Sequence, residues 1–145
     1  MSTCIRIGGQ TDHLRKGIEF IGAAENPTQE DVARLLDGVR GQRGELFASS
    51  EPNPPMGVQQ MILFADRGRY VLTLSYIDHD GQSMGLSLHN EWPDEDESGV
   101  LCYRVFGCDE VFSDFDVVAR EFERYALTGE VRLDLFESGG DPGIR

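Results

Sequence analysis

Between Tyr70 and His89 the chain alternates apolar and polar residues on both sides of an Asp-Gly turn, and no other feature restricts the possible folds as tightly. Tyr70, Leu72, Leu74 and Tyr76 alternate with Val71, Thr73, Ser75 and Ile77, the two-residue period of a strand whose side chains point to opposite faces. Asp78-His79-Asp80-Gly81 supplies the residues of a hairpin turn. Beyond it Met84, Leu86 and Leu88 alternate with Ser83, Gly85, Ser87 and His89, which predicts a strand with one wet face. An isolated hairpin is marginal in water, and further strand-like segments are present. Residues 45–50 and 58–65 flank the proline-rich turn Glu51-Pro52-Asn53-Pro54-Pro55, Asp66-Arg67-Gly68 turns into the hairpin, and residues 100–106 read as a later strand. Residues 3–8 read as a short first strand that stops at Gly8-Gly9, and residues 11–25 as a loop leading into a strand around 17–22.

Two segments switch to a helical period. Pro27-Thr28-Gln29-Glu30-Asp31 has the form of a capping box, with Asp31 where Glu or Gln is usual. Val32, Leu35, Leu36 and Val39 then fall at i, i+3, i+4 and i+7, a single apolar stripe, ended by Gly38 and Gly41. A second helix is predicted from about Asp114 to Thr128. Ser113 and Asp116 form its cap, Phe112 and Val117 its staple, and Gly129 its C-terminal stop. Phe115, Val118, Phe122, Tyr125 and Ala126 make its buried face. Residues 131–136 add a short strand or pack across the helix end, and 138–145 are expected to fray. The pattern predicts one α+β domain over residues 1–145: an antiparallel meander sheet of about five or six strands packed by two main helices.

Charge narrows the function. Against 13 basic residues stand 26 acidic ones, for a formal net charge of −13, which disfavours nucleic acid and anionic membrane as partners because both are polyanions. Solubility alone would account for a uniform acidic coat. The distribution is not uniform. Asp78, Asp80, Glu91, Asp94, Glu95, Asp96, Glu97, Asp109, Glu110, Asp114 and Asp116 follow one another with only Arg104 against them. Within that run Glu91-Trp92-Pro93-Asp94-Glu95-Asp96-Glu97-Ser98-Gly99 resists strand pairing, since like charges and Pro93 oppose it, and reads as a solvated connection. Trp92 there either tucks over a core edge, the commoner fate, or stands out as an anchor for a basic partner. No apolar run approaches the ~20 residues of a membrane span, and the first residues lack the order of a secretory signal, so a cytoplasmic location is expected.

Catalytic motifs are missing. Asp78, His79 and Asp80 look reactive, but consecutive strand residues alternate faces and the trio precedes glycine, so turn chemistry explains them. Cys4, Cys102 and Cys108 are an odd, unpaired set, and Cys102, Cys108 and His89 fall one ligand short of a structural zinc site. The single lysine, Lys16, offers little for Schiff-base or phosphate chemistry. No enzyme activity, metal or cofactor is expected. The order of a capped helix at Pro27-Thr28-Gln29-Glu30-Asp31-Val32, the hairpin Tyr76-Ile77-Asp78-His79-Asp80-Gly81, an acidic connection and a closing helix from Asp114-Phe115-Asp116-Val117-Val118 to Thr128-Gly129-Glu130-Val131 resembles the immunity proteins of bacterial polymorphic toxin systems. It is similar in particular to the family that includes the antidotes of DNA-deaminase toxins, over roughly residues 26–136. Those antidotes favour a tryptophan soon after the last helix, where Leu133 and Leu135 stand here.

The resemblance implies an intracellular inhibitor that binds a cognate toxin with a basic surface and occludes its active site. The residues expected at that contact are Trp92, Asp94, Glu95, Asp96 and Glu97, flanked by Asp78, Asp80 and Glu91. The competing expectations are a non-catalytic adaptor domain and a small hydrolase built on Asp78, His79 and Asp80.

Overall fold

The computed structural model describes residues 4–13, 17–93, 99–101 and 104–138. The fold is α+β: an antiparallel sheet packed by two helices. In chain order the elements are β1 (Cys4–His13), β2 (Gly17–Glu25), α1 (Gln29–Val39), β3 (Arg43–Glu51), β4 (Gly57–Asp66), β5 (Arg69–Ile77), β6 (Ser83–Leu88), β7 (Gly99–Leu101), β8 (Arg104–Phe106), α2 (Phe115–Thr128) and β9 (Phe136–Ser138). The main sheet runs in the order β2-β1-β3-β4-β5-β6-β9, and β7 and β8 form a separate two-stranded hairpin. Because β2 and β3 both lie antiparallel to β1, α1 crosses over to join two strands that run the same way.

The alternating pattern sorts side chains onto the two faces as the sequence predicts. Tyr70, Leu72 and Leu74 of β5 join Leu46, Ala48, Met61 and Leu63 beneath the helices, where Val32, Leu35 and Val39 of α1 and Val118, Phe122 and Tyr125 of α2 complete the core. On the opposite face a smaller cluster gathers Phe64, Val71, Leu101 and Val111, with Ile62 and Phe106 packed against it, so the β7–β8 hairpin covers part of the sheet's back. The Phe64 and Phe106 rings lie 5.5 Å apart, within the range of a favourable aromatic pair.

The turns at the two ends of β5 owe their shape to local chemistry. Arg67 and Gly68 have φ of 54° and 94°, the two positive values that a tight β4–β5 hairpin requires. At the β5–β6 end Asp78 Oδ1 accepts from the backbone N–H groups of Asp80 and Gln82, each at 2.9 Å, and Gly81 takes φ 79°.

Several expectations are corrected. β1 does not stop at Gly8-Gly9 but continues to His13, taking in residues 11–13, expected as loop, while the strand expected around 17–22 is β2, which runs on to Glu25. The glycines mark close approach and not a stop. A Cβ on Gly8 would sit 2.6 Å from the Phe47 ring of the neighbouring strand, and Gly9 faces Gly22, with φ 141°, where the β1–β2 register slips. Residues 100–106 are divided between β7 and β8 instead of forming one strand. Gly38 lies inside α1, which ends at Val39, while Gly41 takes the left-handed turn at φ 71°. The cap of α2 is Asp114, whose carboxylate accepts from Asp116 N–H at 3.1 Å, not Ser113. The cause is upstream: Phe112 exchanges both backbone bonds with Tyr70 at 2.8 Å, which keeps the chain extended until residue 113. The short last strand is Phe136–Ser138, after a single 3-10 turn at Leu133–Leu135.

The first helix begins as expected. Thr28 Oγ1 accepts from Asp31 N–H at 3.2 Å, and Asp31 accepts from Thr28 N–H at 2.9 Å. The Thr28 backbone N–H, and after it the Thr28 hydroxyl, hold the Asp31 carboxyl below its ordinary pKa. A lowered pKa stabilises the fold above the unfolded-state value, and that contribution fades as pH falls through the folded value. Replacing Thr28 by Ala should cost about 1 kcal/mol in denaturant unfolding at neutral pH and reduce the acid-side loss of stability.

A second test concerns Tyr70. Its hydroxyl accepts from the N–H of Gly41 at 2.8 Å, and its ring meets Phe115 edge-on at 4.8 Å. Tyr70→Phe should cost about 1 kcal/mol by leaving that partly buried N–H without its acceptor. Tyr70→Ala, which also removes the ring, should cost about 3–5 kcal/mol.

Candidate partner-binding site

Trp92 is 88% exposed, far more than any other exposed large hydrophobic residue among those described. It does not tuck over a core edge, so the commoner fate is not the one it meets. The turn beneath it is firmly held by Asn90. The Asn90 backbone N–H donates to Asp109 O at 2.7 Å, its Nδ2 donates to Val111 O at 2.9 Å, and its Oδ1 accepts from Trp92 N–H at 3.0 Å. One residue earlier, His89 N–H donates to Leu135 O at 2.9 Å. The His89 ring lies 3.9 Å from the Asp109 carboxylate. The connection after β6 is therefore tied to the 3-10 turn at Cys108–Glu110 and to the segment before β9, and the indole projects from that fixed base.

The expected flanking acids divide. Glu91 is exposed beside Trp92. Asp78 and Asp80 are at the other end of β6, whose six residues separate the two turns by roughly 17–20 Å at the usual rise of a strand. They do not flank Trp92. Asp78 is moreover spent on the hairpin turn, as described. Asp80 and His79 are well exposed and 3.6 Å apart, a pairing across the tip of the turn. Asp94, Glu95, Asp96 and Glu97 lie outside the described residues.

Other members of the acidic run do structural work. Glu110 is 5% exposed and accepts from Gly107 N–H at 2.8 Å. Asp114 caps α2, and Asp116 pairs with Arg40 at 3.1 Å. Glu110, Asp114 and Asp116 are thus engaged within the fold, while Glu91 and Asp80 are exposed at opposite ends of β6.

Asn90, which holds the turn below Trp92, was not singled out from the sequence. Its signal is an Asn two positions before Trp92, the spacing of a side chain that closes a turn on the backbone beyond it. A groove of about 420 Å³ also opens between the helices, lined by Ala33, Leu36, Arg40, Phe115, Ala119 and Arg120. Cys4 and Cys108 are free and half-buried, and Cys102 lies outside the described residues. Among the described residues no three His, Cys, Asp or Glu side chains gather as metal ligands, and no helix is long and apolar enough to cross a membrane.

The fold is similar to that in the crystal structure of a hypothetical protein from Neisseria gonorrhoeae, with a TM-score of 0.76, 15% identity, and coverage of 89% of this chain and 90% of that one. At that identity the likeness is one of fold. No curated protein matches the chain. The model of a family of unknown function (DUF6911) matches residues 5–135, nearly the whole chain, which therefore belongs to that family.

Proposed function

We propose that this chain is an immunity protein, a non-catalytic antidote that binds a cognate bacterial toxin and occludes its active site through Trp92 and the carboxylates next to it. The observation that carries the reading is the 88% exposure of Trp92 on a turn clamped by Asn90. Tryptophan is enriched among the few residues that carry most of the energy of an interface, and it does so best when presented rigidly. Glu91 precedes it, and Asp94, Glu95, Asp96 and Glu97 follow within five residues. Negative potential there accelerates encounter with a basic cleft and competes with an anionic substrate for it.

The sole tryptophan allows a test without any partner. Relative to N-acetyltryptophanamide at matched ionic strength, caesium should quench Trp92 fluorescence more efficiently than iodide, because a negative field draws the cation in and repels the anion. Equal relative quenching by the two ions would remove the electrostatic part of the proposal.

The partner itself is sought by co-purification with the protein encoded immediately upstream. In that complex Trp92→Ala should weaken binding by about 2 kcal/mol or more, roughly 30-fold, mainly through faster dissociation. Replacing Asp94, Glu95, Asp96 and Glu97 with lysine should instead slow association and flatten its dependence on salt. Unchanged affinity and salt dependence in both variants would place the contact elsewhere.

A further inference from the structure

We infer that two copies of this chain join edge to edge through β2, the two β2 strands pairing antiparallel across a twofold axis so that the main sheets run on into one. The inference goes beyond the proposed function and does not rest on it.

The two edges of the main sheet differ. At one end of the strand order stands β9, three residues long. At the other stands β2, nine residues long, with a partner strand on one side only among the described residues. A very short edge strand is one way a protein avoids pairing with other chains, and Lys or Pro on the edge is another. β2 reads Gly17-Ile18-Glu19-Phe20-Ile21-Gly22-Ala23-Ala24-Glu25 and has neither Lys nor Pro. An open backbone ladder of that length is a template for a further strand.

The bulge in β2 selects which strand fits. Along an antiparallel strand, successive residues turn their N–H and C=O groups alternately to one neighbour and the other. Asn26 N–H donates to Ile5 O at 2.8 Å, so the odd-numbered residues of β1 face β2. The even ones face β3, as the Gln10 carbonyl does where a Cβ on Gly44 would collide with it. The odd residues of β1 lie opposite Ala24 and Gly22 on one side of the register slip and Glu19 and Gly17 on the other. Ile18, Phe20, Ala23 and Glu25 therefore direct their backbone groups away from the sheet. Their spacing is two, three, two, because the extra residue of the bulge, Ile21, falls in the middle. A regular strand repeats every two residues and stays in phase with only half of such an edge. A second β2 running the opposite way matches all of it. Ile18 meets Glu25 and Phe20 meets Ala23, twice each by symmetry, for about eight backbone hydrogen bonds. In that register Glu19 falls opposite Ala24, so no acid opposes an acid, and the Glu25 carboxylate is already paired with Arg6 of its own chain.

The test is the mass of the full chain in solution, by sedimentation equilibrium over a concentration series. It should approach that of two chains and stop there, because the pairing uses up both β2 edges. Chains of net charge −13 repel one another. Raising the ionic strength from about 0.01 M to about 0.15 M, which shortens the Debye length from about 30 Å to about 8 Å, should therefore tighten the association. Ala23→Pro removes an outward N–H at an edge position, where a strand tolerates proline, and should return the chain to a monomer with unchanged circular dichroism. Amide hydrogen exchange reads the same contact in the wild type, where the N–H groups of Ile18, Phe20, Ala23 and Glu25 should gain protection as concentration rises. That pattern decides the matter if Ala23→Pro fails to fold. A wild type that stays monomeric at every concentration and salt overturns the inference, as does growth beyond two chains or an association that salt weakens. A folded Ala23→Pro that still dimerises overturns it too, and so does concentration-dependent protection that spares those four amides.

Discussion

Tyr70 is the residue through which the separate parts of this fold are joined. Its backbone exchanges two hydrogen bonds with Phe112, its hydroxyl receives the N–H of Gly41 just beyond α1, and its ring packs edge-on against Phe115 at the start of α2. Arg40 closes the same cluster from above, stacked on Phe115 and paired with Asp116. One side chain on the central hairpin thus fixes where the first helix ends and where the second begins. The second helix then reaches back to the sheet at its far end, where the Tyr125 and Ser50 hydroxyls share a buried hydrogen bond of 2.8 Å. Burial pushes the Tyr125 phenol above its ordinary pKa, favouring the neutral hydroxyl. Helix placement is therefore set by polar contacts at both ends and by apolar packing between them.

The same joint governs the electrostatics. Asp114 and Asp116 belong in sequence to the long acidic run, yet one caps α2 and the other answers Arg40. Glu110 and Asp78 are likewise consumed by turns. A carboxylate that holds a backbone N–H or an arginine is already partly compensated and projects little field. Of that run Glu91 and Asp80 are exposed, and Glu91 adjoins Trp92, the most exposed of the large hydrophobic residues described.

Much of the architecture was legible because it is written in short-range patterns. The alternation in β5 and β6, the Asp-Gly turn, the Thr28–Asp31 box and the Gly129 stop each depend on residues a few positions apart, and each was read from them. The errors came where a local signal had a distant cause. Gly8-Gly9 looks like a stop until the Phe47 ring, 39 residues later, is laid across Gly8. Ser113 looks as good a cap as Asp114 until the bond between Phe112 and Tyr70 decides which of them starts the helix. At the candidate site, the sequence identified Trp92 but favoured burying it, because packing against a core is the usual end of a tryptophan. It also grouped Asp78 and Asp80 with Glu91, since nearness along the chain says nothing about a strand that carries them apart.

The exposure of Trp92 is the point at which fold and function part. Burying a tryptophan removes about 150–250 Å² from water, worth about 4–6 kcal/mol as an upper estimate at 25 cal/mol per Å². That is comparable to a large share of the net stability of a whole domain. Singly exposed hydrophobic residues are ordinary on a protein surface, and Met84, Leu127 and Leu133, each under 40% exposed, need no further reason. An indole at 88% that is also clamped is different, because Asn90 spends three hydrogen bonds on the turn that holds it outward. A chain that needed only solubility from this loop would gain nothing from ordering its base. An interface does gain, since each side chain already fixed before binding has less freedom to lose when the partner arrives.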